Sequence, residues 1–531
     1  MAMATWQQDR QHAPEPMTPM AAWWSSHFAV GFSAGLASFS LPLHTLTARI
    51  NTYYYMSVGP NVPPEMMPEL EAKAEPLLMA AIPAFWSRWE NEWLPELKST
   101  WEDWGAFDLQ GATDAELAAR IERAVELYRR AWTIHFQLLI PAMVGGSSFQ
   151  DVYREVVRGA SALDAYRLCQ GFDNMSLEVG RRLWALSRKL KADPNLARLV
   201  QETPSSQLIA ALEQDEAGKA FLTELDAFVA EYGRRSDTVQ EIGDPSWTED
   251  PTPVLDNLKA YILQDEDPDD VLRKAAAERE RLIGEARERL KGAPEEIRGQ
   301  FEVLLAAAQD FSRVQEDHNF WIDQRSLHEM RQFCREFGRR LASRGVIDAT
   351  DDVFLLNLDE ARDLLLAPNG DAKALIAERR AEMDRWRKVS APAFIGTDYG
   401  PPPDNPVTRA IMRFFSVPKE PSAVANQIPG NPGSRGTAKG VARIILTIAD
   451  GSRLQPGEIL VTPTTSPPWT PLFATAAAVV TETGGELSHC AIVAREYGIP
   501  AVVGATGATA AIKDGDLIEV DGDAGLVHIL S

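Results

Sequence analysis

The sequence predicts a multidomain α+β protein, with a large mainly α-helical domain followed by a compact C-terminal domain of alternating strand and helix. Three observations predict it. The chain is 531 residues long, several times the ~100–200 residues that share one core. Helical periodicity dominates from about 64 to 390, and after Gly433 the texture changes to short apolar runs separated by glycines.

Residues 1–20 are polar and rich in proline (Pro14, Pro16, Pro19) and read as an N-terminal arm. The apolar stretch Phe28–Leu43, interrupted by Ser33, Ser38 and Ser40, falls short of the ~20 residues that span a bilayer and reads as a buried segment. Residues 21–390 are expected to form the helical, acceptor-binding domain, in one or two subdomains. Trp86, Trp89 and Trp93 share one helical face and read as core. The segment 114–140 carries Leu117, Ile121, Ala124, Leu127 and Trp132 at helical spacing, and 268–310 reads as solvated helices broken near Gly292 and Pro294. Residues 313–344 are another long helix. Nine prolines between Pro392 and Pro432, including Pro401–Pro403, exclude regular helix and mark 391–432 as an extended domain linker, with an apolar patch at Ile411–Phe415. In 433–531 the expected strands are Val441–Leu446, Glu458–Val461, Ala476–Thr481, Ala501–Val503, Leu517–Val520 and Val527–Leu530, with one helix at 489–497.

Composition bounds the function. With 53 Lys+Arg against 76 Asp+Glu the formal charge is -23, which disfavours phosphate-backbone binding and anionic membranes. Cys169, Cys334 and Cys490 form no C-x-x-C pair, and no basic–apolar leader opens the chain, so a cytoplasmic location is expected. No metal site is expected. His44 and His135 lie in apolar runs and read as core.

The chemistry-bearing stretch runs from Thr481 to Pro500. A strand ends at Thr483-Gly484-Gly485, and Ser488-His489 opens a helix. Glycines let backbone N–H groups turn inward, and a helix N-terminus favours an anion, so Thr483, Gly484, Gly485 and Ser488 read as a phosphate loop. A histidine here can accept a phosphoryl group, because neutral imidazole is a nucleophile near pH 7. Taken as an isolated turn, the same pattern also suits a capping or core histidine.

The longer run Gly484-Gly485, Ser488-His489, Ala491–Glu496 and Gly498–Gly504 resembles the swivelling phosphohistidine domain of phosphoenolpyruvate-utilising enzymes. Gly436–Arg443, Gly457–Val461 and Thr465–Phe473 support it, the last in the form found in rifampin phosphotransferases. Cys490 stands where many members have alanine. Upstream, Pro14–Met20, then Tyr232–Arg235 with Glu241, Trp247 and Glu249–Pro251, then Asp351–Leu356 with Leu358–Glu360, resemble markers of the rifampin phosphotransferase central domain, in the same order. The layout is similar to the C-terminal two domains of that enzyme and to the histidine-bearing subunit of phenylphosphate synthase and 4-cresol-phosphorylating enzymes.

The resemblance implies a swivelling β/β/α domain in which His489 carries phosphoryl between two active sites. No Gly-rich nucleotide loop is found, so ATP and Mg²⁺ are expected to act through a separate ATP-grasp subunit. The implied activity is an ATP-dependent, dikinase-type phosphotransferase acting on the hydroxyl of a small organic, aromatic or phenolic acceptor. A split rifampin-type antibiotic phosphotransferase and a non-catalytic phosphohistidine relay are the alternatives. The acceptor site is expected in the helix Gln315–Arg325, where Glu316, Asn319 and Asp323 fall near one face and His318, Ile322 and Arg325 near another. Glu316 or His318 would take the acceptor's proton, Arg325 would stabilise the phosphoryl group, and Asn319 stands where rifampin phosphotransferases are more basic.

Overall fold

A computed structural model describes residues 5–530 except 61, 237, 368, 398–404, 416–418, 420, 421 and 425. The run Pro401–Pro403 therefore lies outside the described residues. The chain divides into two compact units. The first comprises 1–141, 238–245 and 318–402, and the second 142–237, 246–317 and 403–531. The helical region 21–390 is thus shared between both units, and its middle, 142–237 with 246–317, falls in the same unit as the C-terminal domain.

The first unit contains a four-stranded antiparallel sheet, in the order Leu43–Ile50, Tyr53–Pro60, Trp6–Gln8, Phe394–Ile395. The sequence reading has no strands here. The hairpin is closed by Asn51 and Thr52, both at positive φ (49° and 69°), the two-residue turn that suits the twist of paired strands. Trp6 and Met17 are buried, so the N-terminal segment is part of the core rather than an arm. Thr18 caps the helix Pro19–Ala37, and both its N–H and its hydroxyl donate to Glu241, at 2.8 and 2.7 Å. Two of the quoted central-domain markers therefore meet. The third packs under the helix Arg325–Ser343, where buried Arg331 lies over Phe354 and donates to the Ile242 carbonyl. Trp89 and Trp93 are buried in a short π-helical turn, as a core stripe should be.

In the second unit an eight-stranded sheet runs Gln427–Pro429, Leu526–Ile529, Leu517–Asp521, Thr437–Ile444, Ile459–Thr462, Ala478–Thr481, Ala501–Val503, Asn431–Ser434. The four strands from Thr437 to Val503 are parallel, and the last three of them are almost wholly buried, which is why they read as continuous apolar runs. The helix His489–Tyr497 is the crossover between the parallel strands Ala478–Thr481 and Ala501–Val503, which places His489 where a buried strand gives way to a helix.

The 391–432 segment departs from the expected extended linker. Pro406–Phe415 is a helix. Proline is tolerated at its first position, where the missing N–H is an orphan anyway, and no proline follows until Pro418. Phe414 is buried, and Arg413 donates to the Ser147 carbonyl and pairs with Asp151 at 2.6 Å. No helix among the described residues is long and apolar enough to cross a membrane. All three cysteines are free and buried.

Candidate functional site

His489 is the first residue of its helix, with Ser488 as N-cap in extended conformation. Gly484 has φ +92°, and a Cβ there would lie 2.8 Å from Ser488 Oγ, so this turn requires glycine. The loop's N–H groups are partly committed: Gly485 N–H donates to Phe414 O (2.8 Å), and Thr483 N–H to Pro463 O (3.2 Å). What remains at the head of the helix is its N-terminus. Ser488 Oγ and Thr470 Oγ1 are buried and have no hydrogen-bond partner among the described residues. The helix Thr470–Phe473 packs on the His489 helix, with the Phe473 ring edge-on to His489 at 6.2 Å. Thr465 lies beside Cys490, whose thiol burial pushes up to about 12, a neutral packing group rather than a reactive one.

His489 is only 6% exposed. Its Nδ1 lies 3.0 and 3.1 Å from the two oxygens of Glu316, itself 1% exposed. A carboxylate only accepts, so the hydrogen bond assigns the proton to Nδ1 and leaves the lone pair on Nε2. Nε2 is buried without a hydrogen-bond partner among the described residues. Glu316 is oriented in turn by Ser176, whose hydroxyl donates at 2.5 Å. The neighbouring Asp317 accepts the Met175 N–H at 2.8 Å, at the start of the helix Met175–Ala192. Burial nevertheless raises the Asp317 carboxyl to about 7. Glu496, two turns along from His489, accepts the Gly171 N–H at 2.8 Å, and burial raises it to about 8. Ser176 and Glu496 are contributors that the sequence reading misses. A polar residue two places beyond the Asn174 cap, and an acid within an otherwise apolar helix, are the only signals for them.

The remaining acceptor-site candidates lie in the first unit. The faces expected for Gln315–Arg325 assume continuous α-helix, but Asn319–Gln324 is a π-helical turn. Its i→i+5 repeat brings His318 beside Asp323, with Nε2 3.7 Å from Oδ2. Asp323 Oδ1 lies 2.8 Å from Nδ1 of His135, and Asn319 Nδ2 donates to Oδ2 at 3.2 Å. His135, read as plain core, is therefore part of a polar cluster. Burial disfavours the Asp323 carboxylate, but the two imidazoles outweigh it and hold the group below its usual range. Arg325 Nε lies 2.7 Å from Glu329.

Comparison with known proteins agrees with this geometry. The PEP-utilising enzyme mobile domain matches residues 454–525, and the rifampicin phosphotransferase fourth domain matches 135–316. Chondramide synthase cmdD of Chondromyces crocatus is 36% identical over 546 aligned residues, covering 100% of this chain and 14% of its own length. The uncharacterized phosphotransferase YvkC of Bacillus subtilis (strain 168) is 32% identical, covering 76% of this chain and 48% of its own. Rifampicin phosphotransferase of Streptomyces sviceus is 28% identical, covering 80% and 48%. The chain thus spans about half the length of the two phosphotransferases and a smaller share of the synthase. His489, at the head of the crossover helix, lies within the first match and Glu316 closes the second, so the chain carries a mobile domain of the PEP-utilising enzyme kind.

Proposed function

We propose that this chain is the histidine-bearing catalytic part of an ATP-dependent, dikinase-type phosphotransferase. The observation that carries the reading is the state of His489: Nδ1 is held by Glu316, and Nε2 is left with a lone pair and no partner among the described residues. In the first transfer Nε2 attacks a phosphorus of ATP, in Mg²⁺ complex, presented by an ATP-grasp module on a separate subunit; the N–P bond forms as the bridging P–O bond breaks, and the remaining nucleotide leaves with that electron pair. In the second, the hydroxyl oxygen of a small organic acceptor attacks the phosphorus, the N–P bond breaks, and the lone pair returns to Nε2. Glu316 stabilises the positive charge that the imidazole gains when phosphorylated, and the helix N-terminus with the Ser488 hydroxyl favours the attached dianion. Because Nε2 is buried, charging requires the 433–531 domain to leave its seat. The proline-rich 391–432 segment is the proposed swivel linker.

A phenolic acceptor is supported by the aromatic wall beside the His135 cluster, where Trp132 and Phe136 ring centroids lie 4.7 and 4.5 Å from His135. There His318 is the candidate base. The relatives named rifampicin phosphotransferases favour a second reading, a split antibiotic phosphotransferase.

The test is to load the protein chemically with potassium phosphoramidate, confirm an acid-labile adduct that the variant His489→Ala lacks, and add phenol, 4-cresol or rifampicin. Discharge with formation of a phenyl phosphate supports the first reading, and phosphorylated rifampicin the second. A phosphoenzyme inert to all three counts against both and favours the relay.

A further inference from the structure

The first unit holds a buried cluster that the carrier chemistry does not use. One ligand atom each from His135, His318 and Asp323 lie within 4.8 Å of one another, and all three residues are buried. Asn319 adds to it. Its Nδ2 rests on Asp323 Oδ2, while its Oδ1, on a side chain 8% exposed, has no hydrogen-bond partner among the described residues. An apolar core has little use for two imidazoles, a carboxylate and an unsatisfied amide oxygen in one place, since each buried polar group costs free energy unless paired.

The donor set is that of a first-row transition metal: imidazole nitrogens and one carboxylate, with a neutral oxygen beside them. Spacing agrees with the chemistry. Ligand atoms held at about 2.0–2.1 Å from a tetrahedral ion stand about 3.3 Å apart. The observed separations, 2.8 Å from His135 Nδ1 to Asp323 Oδ1 and 3.7 Å from His318 Nε2 to Asp323 Oδ2, fall on either side of that value, on the two oxygens of one carboxylate, and one ligand atom from each residue lies within 4.8 Å of the others. The π-helical turn supplies the placement, because it puts His318 and Asp323 on one side of the same helix.

We propose that His135, His318 and Asp323 bind a divalent transition-metal ion, Zn²⁺ in the first instance, with Asn319 Oδ1 at the fourth position. The site takes His318, the base candidate above, as a ligand, so the two roles exclude each other; its test reads bound metal alone, and its outcome leaves the His489 reading untouched.

The full chain is stripped with chelator and titrated with ZnCl₂, CoCl₂ and MgCl₂, with bound metal measured by equilibrium dialysis and mass spectrometry. One Zn²⁺ per chain is expected, no Mg²⁺ at the same concentrations, and visible Co²⁺ bands of a four- or five-coordinate site. Asp323→Asn and His318→Gln should weaken Zn²⁺ binding at least about 100-fold, while His489→Ala binds as wild type. If the two ligand variants fail to fold by circular dichroism, the wild-type stoichiometry and Co²⁺ spectrum decide. The proposal is overturned if the wild-type chain takes up neither Zn²⁺ nor Co²⁺, if folded ligand variants retain the ion, or if His489→Ala loses it.

Discussion

Glu316 and His489 stand 173 positions apart in the chain and meet with both carboxylate oxygens within 3.1 Å of Nδ1. Glu316 thereby orients the His489 ring. Under the proposed reading, this pairing stabilises the imidazolium-like charge that would develop as Nε2 bonds to phosphorus.

The first prediction concerns that pair. Glu316→Gln preserves a hydrogen bond but removes the charge, and its amide can present an N–H to Nδ1 and stabilise the wrong tautomer. Discharge of phosphorylated His489 to the acceptor, which takes place in the seat beside Glu316, should slow by about 10²-fold or more, while loading away from the seat is unchanged. The check is the rate of adduct loss after addition of acceptor, followed by intact-protein mass spectrometry, with unchanged circular dichroism as the control for folding.

A second prediction follows from Gly484. With φ at +92° and Ser488 Oγ 2.8 Å from a new Cβ, Gly484→Ala must strain the turn or displace the residue that caps the His489 helix. A loss of roughly 1–3 kcal/mol in stability is expected. Denaturant unfolding measures it, and Gly457→Ala, at φ +88° with open space around it, separates backbone strain from the clash.

The sign of a pH effect comes from Glu496. Burial raises its carboxyl to about 8, above the ~4.3 of an unfolded chain. Between those values the folded state holds a proton that the unfolded state has released, so stability falls as pH rises from about 5 to 8. Below the unfolded value its contribution is fully present. Glu496→Gln keeps an acceptor for the Gly171 N–H and cannot ionise. Its thermal midpoint should therefore decline less over that interval than the wild type's, read by scanning calorimetry at a series of pH values.

Much of the C-terminal architecture is legible in the sequence for a local reason. The strands Ala478–Thr481 and Ala501–Val503 are buried on both faces, so burial appears as apolar runs, and Gly498 at positive φ ends the His489 helix where the pattern says it should. The sheet around Tyr53 is harder to see because its eight-residue hairpin strands are partly exposed and its other two strands, three and two residues long, come from both ends of the first unit. The helix Pro406–Phe415 hides behind proline density, which counts prolines without asking which helical position each one takes. The acceptor-site residues are divided for a geometric reason. A π-helical turn cannot be inferred from apolar periodicity, and it changes which neighbours His318 meets. Glu316 was within reach as a chemical group, but its partner lies in another element, and no local spacing encodes that meeting.

The central claim is that His489 carries phosphoryl on Nε2 while Glu316 holds Nδ1. The most direct measurement is the regiochemistry of the phosphoenzyme, read by ³¹P and ¹⁵N NMR on histidine-labelled protein loaded with phosphoramidate. The account predicts a single phosphohistidine substituted at Nε2 of His489, with a protonated Nδ1. Substitution at Nδ1, or a stable adduct that persists in His489→Ala, would contradict it.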